Sequence, residues 1–204
     1  MPGRFFLTTP VARVARVLGV PDPSAAEGAR RNIQPGQEVW VLTLDGLQRM
    51  RWGIIPVGRV NARGRPVMET IINARSETVF DKSAFEGVRR VVIPVDGWYE
   101  WTGKTRRKTA WRLSARDGGL LLFAGIADAW TAPGGRVLHQ VAAVTCEPNA
   151  DVRDIHHRMG VILAQKDVGL WLRASEEAAR DLMRPLPDGM LQIEVADDVD
   201  WSGA

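Results

Sequence analysis

A series of short apolar segments, separated by glycine-containing turns, constrains the fold of this chain more than any other feature. Asp45-Gly46 is a hairpin signal between the first two segments, and Gly118-Gly119 and Pro133-Gly134-Gly135 mark turns between later ones. Strands are predicted at residues 38–44, 47–52, 90–94, 97–102, 108–114, 119–127, 137–145, 159–164 and 190–195. So many short strands predict a strongly bent, barrel-like sheet with mixed or antiparallel pairing.

A few helices are predicted around this sheet. Residues 9–18 have apolar side chains at helical spacing, Thr9 can cap this helix, Pro10 suits its first position and Gly19 can end it. Further short helices are predicted within 76–87, just after residue 148, near 166–173 and near 175–183. Residues 21–35 and 57–68 are predicted to be loops, and 196–204 a loose tail. We therefore expect a single α+β domain over residues 1–204, with peripheral helices.

The residue counts exclude several classes of protein. Cys146 is the one cysteine among 204 residues, so an intrachain disulfide is impossible, and with only three histidines the usual Cys/His zinc sites are excluded. We expect no metal and no other cofactor. No apolar run is long enough to cross a bilayer, and the start of the chain lacks the apolar core of a signal peptide. These features predict a cytoplasmic or nucleoid-associated protein.

Positive charge is concentrated in the first part of the chain. The net charge is only +3, yet eleven arginines lie within the first 75 residues, while the C-terminal end is acidic. A basic half suits a polyanion such as nucleic acid, although a solvated arginine-rich face would give the same composition. Of the eight tryptophans, several must be in the core, and others could stack on unpaired bases.

Pro2 follows the initiator Met1, and a small residue in this position normally allows the methionine to be removed. The chain would then begin with a secondary amine, part of which is unprotonated at neutral pH. Such amines attack aldehydes to form iminium ions. The alternative is an ordinary frayed terminus.

Three further side chains would supply what carbonyl chemistry needs. Glu100 lies between aromatic residues that could raise its pKa, which suits an acid or base. His156 can move a proton near neutral pH, and Asn73 can orient the amine or hold an oxyanion. Each also has a simpler explanation: Asn73 could cap a helix, Glu100 could face solvent and His156 could be structural. The arginines at positions 4, 75 and 158 could bind phosphates.

Six segments together resemble the SOS response-associated peptidase (SRAP) family, whose members recognise and process abasic sites in single-stranded DNA. The resemblance extends over nearly the whole chain. The matching segments are Gly3-Arg4-Phe5, Arg51-Trp52-Gly53-Ile54-Ile55-Pro56, residues 73–78, residues 93–101, Phe123-Ala124-Gly125-Ile126 and His156-x-Arg158-Met159.

This resemblance implies an α+β fold with a basic channel, and an N-terminal residue that bonds to the open-chain sugar aldehyde. By position, Asn73, Glu100 and His156 match the catalytic residues, and the His-x-Arg-Met pattern selects His156 over its neighbour. Arg4, Trp52 and Arg75 match residues that hold DNA, and Arg158 is a further candidate. A monomer that binds single-stranded DNA is implied, with peptidase activity limited to removal of a first residue.

The chain departs from the family pattern in three places. Pro2 stands where relatives have cysteine, so the durable thiazolidine that an N-terminal cysteine forms is impossible here. Gly160 replaces the usual proline, which could loosen the strand near His156, and the acidic C-terminal stretch lacks a family end-motif. Three hypotheses remain open: a transient iminium with lyase cleavage, binding of single-stranded or junction DNA without chemistry, or a substituted crosslinker in which Pro2→Cys would restore the stable adduct.

Overall fold

The computed structural model describes residues 2–25, 27–56, 70–104, 107–132 and 134–202. Its strands are β1 (Arg4–Leu7), β2 (Arg30–Ile33), β3 (Glu38–Thr43), β4 (Gly46–Trp52), β5 (Asn73–Arg75), β6 (Arg89–Val95), β7 (Gly97–Lys104), β8 (Arg107–Ala115), β9 (Leu121–Thr131), β10 (Val137–Cys146), β11 (Met159–Gly160), β12 (Ile162–Leu163) and β13 (Leu191–Val195). Its α-helices are α1 (Val11–Leu18), α2 (Val168–Arg173) and α3 (Glu176–Arg180). Short 3₁₀ turns cover Ser83–Phe85 and Gln165–Asp167.

The strands form two sheets. One sheet has the order β13-β8-β7-β1-β2. The other has the order β11-β10-β4-β3-β6-β9-β12, and β10 pairs with β9 as well as with β4, so five of its strands form a ring. Strands β4 and β5 each run parallel to β10, whereas the other paired strands are antiparallel. The predicted α+β class and bent, mixed sheet are confirmed.

The alternation of side chains along the strands places a cluster of aromatic rings, those of Phe5, Trp52, Trp98 and Phe123, between the two sheets. Phe5 stacks on Trp52 with ring centroids 4.2 Å apart, and Phe123 contacts both Phe5 and Trp98 edge-on. The next residues along β1 and β7, Phe6 and Tyr99, contact each other outside this cluster. Because side chains of a strand alternate between its two faces, β1 and β7 each have one core face and one outer face.

Asp96, in the turn between β6 and β7, fixes the end of β1 to the start of α1. Its carboxylate accepts hydrogen bonds from the backbone N–H and the hydroxyl of both Thr8 and Thr9, at 2.6–2.9 Å. Helix α1 was predicted at 9–18 with Thr9 as its cap. Pro10 occupies the N-cap position instead, because the Thr9 hydroxyl is bound to Asp96, and Gly19 ends the helix with a positive φ of 68°.

Several predicted boundaries need correction. The predicted loop 21–35 contains β2, which is stabilised by pairing with β1. The predicted strand 159–164 is two short strands, because β11 pairs with β10 whereas β12 pairs with β9. The segments after 76 and after 148 form mainly turns rather than helices. The predicted loop 57–68 lies outside the described residues.

The tail predicted to be loose over 196–204 is packed as far as the structure describes it. Ala196 and Val199 are buried against the outer aromatic cluster of Phe6 and Tyr99. The Trp201 ring contacts Tyr99 edge-on, with centroids 4.9 Å apart. Apolar burial therefore holds this segment on the outer face of β1 and β7. Among the helices that the structure describes, none has the length and apolar character needed to cross a lipid bilayer.

Candidate active site

Strand pairing brings the start of the chain to the middle of β7. Strand β1 begins at Arg4, which lies opposite Tyr99, so Pro2 leaves the sheet close to Glu100. Pro2 is buried, and its carbonyl accepts a 2.8 Å hydrogen bond from the Asn73 side-chain amide. Asn73 begins β5, where pairing with Ala143 of β10 fixes its position. Pro2 and the residues that follow it are therefore held in place rather than frayed.

Glu100 is a buried carboxylic acid on the core face of β7. It is 3% exposed, and the Trp98 indole N–H donates to its Oε1 at 3.3 Å. Burial raises the pKa of Glu100 to about 7, although the positive charge of the amino terminus, its hydrogen bond and the Trp98 indole act in the opposite direction. A carboxyl with this pKa can both donate and accept a proton near neutral pH.

His156 is a half-buried, neutral imidazole. Burial lowers its pKa to about 4, helped by the charge of the amino terminus and by His157, whose ring stacks on it at 4.3 Å. His156 Nδ1 lies 3.0 Å from the Arg158 backbone nitrogen and 3.2 Å from the Arg158 carbonyl oxygen, so it accepts from the first or donates to the second according to the tautomer of the ring. His156 is thus neutral at pH 7, and its proton does not titrate near neutral pH.

Each of these three side chains is affected by the start of the chain. The charge of the amino terminus influences the pKa of both Glu100 and His156, and Asn73 contacts the Pro2 carbonyl directly. Because the effect of a charge declines with distance, Glu100 and His156 both lie near the start of the chain, to which Asn73 is hydrogen-bonded. The side-chain oxygen of Asn73 is buried without a hydrogen-bond partner among the described residues. It can accept a hydrogen bond from a bound molecule.

Arg158 lies beside this pocket but is already engaged. Its guanidinium pairs with Glu77 and donates to the Thr145 carbonyl at 2.6 Å, and the side chain is only 10% exposed. The hydrogen bonds from Arg158 lower the pKa of Glu77 to about 2, against the effect of burial. The expectation that Arg158 binds a phosphate therefore needs correction, because its guanidinium is already engaged by the half-exposed Glu77 carboxylate and by the Thr145 carbonyl.

The other three expected DNA contacts lie in different environments. Trp52 is fully buried, stacks on Phe5 and donates its indole N–H to the Ile72 carbonyl at 3.0 Å, so its ring has no face open to a base. The expectation that Trp52 holds DNA therefore also needs correction. Arg4 is half-buried and donates to Asn32 Oδ1 at 2.6 Å. Arg75 is exposed at the end of β5 and remains a candidate phosphate contact.

Two residues near the site were not predicted as site residues, although both lie in segments that the sequence had singled out. Trp98 contacts Glu100, and its position two residues earlier on the same strand is the signal that places both on one face. Glu77 fixes Arg158 from 81 positions away, and no local pattern reveals such a contact. Asn73 does not cap a helix, because it lies in a strand.

No thiol is available to replace the one that Pro2 lacks. Cys146 is buried, and burial raises the pKa of its thiol to about 12. Within the described ranges, no group of three or more His, Cys, Asp or Glu residues is placed to hold a metal ion.

Close packing accounts for Gly160, the second departure from the family pattern. A Cβ at this position would lie 2.1 Å from the Phe123 ring, a distance that requires the ring to move. The glycine lets Phe123 pack over β11 next to the aromatic cluster.

The fold and pocket define a protein whose N-terminal segment is held beside a buried acid, an imidazole and an amide. The family described as SOS response associated peptidase (SRAP) matches residues 1–201, and the chain belongs to this family. Abasic site processing protein YoaM of Bacillus subtilis is 35% identical over 149 residues, covering 69% of this chain and 64% of that protein. Abasic site processing protein HMCES of Mus musculus is 29% identical over 166 residues, covering 66% of this chain and 47% of that protein.

Two crystal structures share the fold. A protein from Bacteroides thetaiotaomicron matches with a TM-score of 0.81 at 22% identity, over 96% of this chain and 92% of that one. A protein from Bordetella bronchiseptica matches with a TM-score of 0.79 at 24% identity, over 96% of this chain and 99% of that one. The chain thus has the fold of these proteins over nearly its whole length, whereas it spans about half to two thirds of the curated relatives above.

Proposed function

We propose that this protein processes abasic sites in single-stranded DNA, with the Pro2 amine as the nucleophile once Met1 has been removed. The observation that carries the proposal is the 2.8 Å hydrogen bond from Asn73 to the Pro2 carbonyl, which holds the start of the chain beside Glu100. The names of the relatives support the same substrate class.

The first step forms a carbon–nitrogen bond. The neutral Pro2 amine adds to C1′ of the ring-opened sugar, and the resulting carbinolamine loses its hydroxyl as water to give an iminium ion. Glu100, with a pKa near 7, supplies the proton that converts the hydroxyl into water. His156 forms a hydrogen bond with a sugar oxygen as a neutral ring, because its lowered pKa keeps it uncharged near pH 7.

The second step breaks the strand. The iminium ion acidifies the C2′–H bond, and the Glu100 carboxylate produced in the first step accepts that proton. The electron pair forms a C2′–C3′ double bond as the C3′–O bond breaks and the 3′ phosphate leaves. Water then adds to the iminium carbon, which releases an unsaturated aldehyde and regenerates the Pro2 amine. Without a thiol to close a ring, the covalent species remains transient.

Borohydride reduction of the covalent species tests this proposal. The protein is mixed with a single-stranded oligonucleotide that carries one abasic site, with and without borohydride, and the intact mass and strand cleavage are measured. We expect loss of Met1, a reduced adduct that maps to Pro2, and cleaved DNA in the unreduced sample. An adduct that maps to a lysine, or no adduct with correctly processed protein, would contradict the proposal.

The Pro2→Cys variant is the matched comparison. It restores an amine and thiol on adjacent atoms, so we expect an adduct that survives heating without borohydride. DNA binding by the wild-type protein that ignores the abasic site, and that Glu100→Ala leaves unchanged, would instead favour a binding protein without chemistry.

A further inference from the structure

The hairpin that carries Glu100 continues past the rest of its sheet as a two-stranded ribbon. Strand β1 pairs with β7 only as far as Tyr99, and β13 pairs with β8 only as far as Trp111, with one more hydrogen bond from Ala196 to Ala110. Beyond these residues the described parts of β7 and β8 pair with each other and with no other described strand. The ribbon therefore projects from the edge of the candidate active site.

The paired residues along this ribbon begin with the candidate acid Glu100 and end with two basic residues. Glu100 lies opposite Trp111, Thr102 lies opposite Thr109, and the last described pair is Lys104 with Arg107. Trp111 is half-buried, and its indole N–H donates to the Thr102 hydroxyl at 2.8 Å. Thr109, Lys104, Arg107 and Lys108 are exposed. An aromatic surface, hydroxyl groups and cations thus follow one another outward from the catalytic acid.

Among the described residues, no carboxylate pairs with the cations at the end of the ribbon. Within the described residues, none of the ion pairs involves Lys104 or Arg107. The outer face of the same hairpin differs, since Arg112 there pairs with Glu194 at 2.9 Å and with Asp198. A polyanion that leaves the pocket would be attracted to the end of the ribbon and repelled by the acidic C-terminal segment.

We propose that Lys104 and Arg107 form a second DNA contact that holds the single-stranded flank of the abasic nucleotide. This inference rests on the proposed function, because it places the reacting sugar at Glu100. Four residues of strand separate Glu100 from Lys104, which is about 13 Å at 3.3 Å per residue. With stacked nucleotides rising about 3.4 Å each, this distance spans about four of them, and fewer in an extended strand. The contacted phosphates therefore lie about two to four nucleotides from the abasic site.

The double variant Lys104→Ala/Arg107→Ala tests the contact through its salt dependence. Each phosphate contact to a single strand contributes about 0.7 to the slope of log affinity against log salt, so losing two should reduce the slope by about 1.4. We expect Kd to rise about tenfold at 200 mM salt and more at 50 mM. The measurement is fluorescence anisotropy with an oligonucleotide extending eight nucleotides on each side of the abasic site. The borohydride-trapping rate at saturating DNA should not change.

Flank length provides a second, independent measurement. Shortening one flank to a single nucleotide should remove the difference in Kd between the wild type and the double variant. Shortening the other flank should preserve that difference. The matched control is Arg13→Ala/Arg16→Ala, which removes two exposed cations from α1. The control should keep the wild-type dependence on flank length. All variants are compared by thermal unfolding. The substitutions at the exposed residues Lys104 and Arg107 should leave Tm unchanged.

The outcomes separate this inference from the proposed function. Wild-type trapping of abasic DNA, combined with an unchanged salt slope in the double variant, would overturn the ribbon contact alone. The same loss of affinity in the α1 control would also overturn it, because the effect would then be one of net charge. Absence of trapping by the wild type would overturn the proposed function, whatever the ribbon variant does.

Discussion

Asp96 and Glu100 are only four positions apart, yet their surroundings give the two carboxyl groups opposite properties. Both are removed from water, which favours the protonated form. Around Asp96, four hydrogen bonds from Thr9 and Thr8 outweigh burial and hold its pKa below the usual value. Around Glu100, the amino terminus and Trp98 do not outweigh burial, and its pKa rises to about 7. Where hydrogen-bond donors outweigh burial the carboxyl pKa falls, and where burial outweighs the donors it rises toward neutral pH.

The two groups also affect stability in opposite directions with pH. A raised carboxyl pKa means that the folded state binds more protons, so Glu100 reduces stability as pH rises from about 4.5 to about 7. The lowered pKa of Asp96 contributes stability above its unfolded value of 3.8, which is lost as pH falls through the folded pKa. Substitutions at these and neighbouring positions should separate reactivity from stability.

The largest effect should come from Glu100→Gln. Loss of the acid–base group should slow single-turnover trapping by about 10²–10⁴-fold. Because the neutral amide removes a buried charge, Tm at pH 8 should equal or exceed that of the wild type, and the decline in stability between pH 4.5 and 7 should disappear. Glu86→Gln, at an exposed position, is the control and should change neither. Wild-type trapping by Glu100→Gln would remove Glu100 from the mechanism.

Asp96→Asn should produce the opposite pattern. An amide retains one acceptor oxygen, so part of the set of hydrogen bonds from Thr8 and Thr9 is lost. We expect the free energy of unfolding at pH 7 to fall by about 2–3 kcal/mol, measured by urea denaturation. The folded variant should still trap abasic DNA at a near wild-type rate. The exposed control Asp154→Asn should not alter stability. A loss of rate without a loss of stability would show that Asp96 is not merely an anchor.

Asn73→Ala should slow the reaction less than loss of the acid does. It removes the 2.8 Å hydrogen bond to the Pro2 carbonyl and so releases the segment that carries the nucleophile. Misplacement of a reacting group by about 1 Å can cost about 100-fold, so we expect trapping at saturating DNA to slow by 10–100-fold. DNA affinity, measured by anisotropy, should change little. An unchanged rate would mean that the amide does not position Pro2.

The smallest effect should come from His156→Asn. The lowered pKa of His156 means that the unfolded state binds more protons between about pH 4 and 6.5, so the wild type loses stability on acidification in this range. Because the ring is only partly buried, solvent screening limits this loss to about 1 kcal/mol. The variant should lose less stability between pH 6.5 and 4 in urea denaturation. An identical acid dependence would indicate that the ring titrates normally.

Local sequence patterns correctly predicted the strands that are joined to their partners by short turns. The Asp45-Gly46 hairpin forms β3 and β4, and the predicted strands 97–102 and 108–114 form β7 and β8. Strand β2 was missed because its Arg-Arg-Asn-Ile segment lacks apolar alternation and depends on pairing with β1. The tail was missed because the aromatic residues that bury it are distant in sequence: Tyr99 lies about 100 positions away and Phe6 about 190.

In the candidate site, too, properties with a local cause were predicted and contacts between distant residues were not. Residue type and aromatic neighbours indicated Glu100 correctly as an acid of raised pKa, since the cause is local burial. Arg158 and Trp52 were expected to bind DNA. In the structure, Arg158 forms an ion pair with Glu77, and the Trp52 ring stacks on Phe5. Both contacts join residues far apart in sequence, so only the folded chain reveals them.

A ¹³C NMR titration of the side-chain carboxyl groups tests the central comparison most directly. The two resonances are assigned by their loss in Glu100→Gln and in Asp96→Asn, and wild-type protein is titrated from pH 3 to 9. We expect the Glu100 resonance to titrate near pH 7 and the Asp96 resonance to stay in its ionised position down to below pH 3.8. A Glu100 resonance that titrates near 4.5, like an exposed glutamate, would contradict the account.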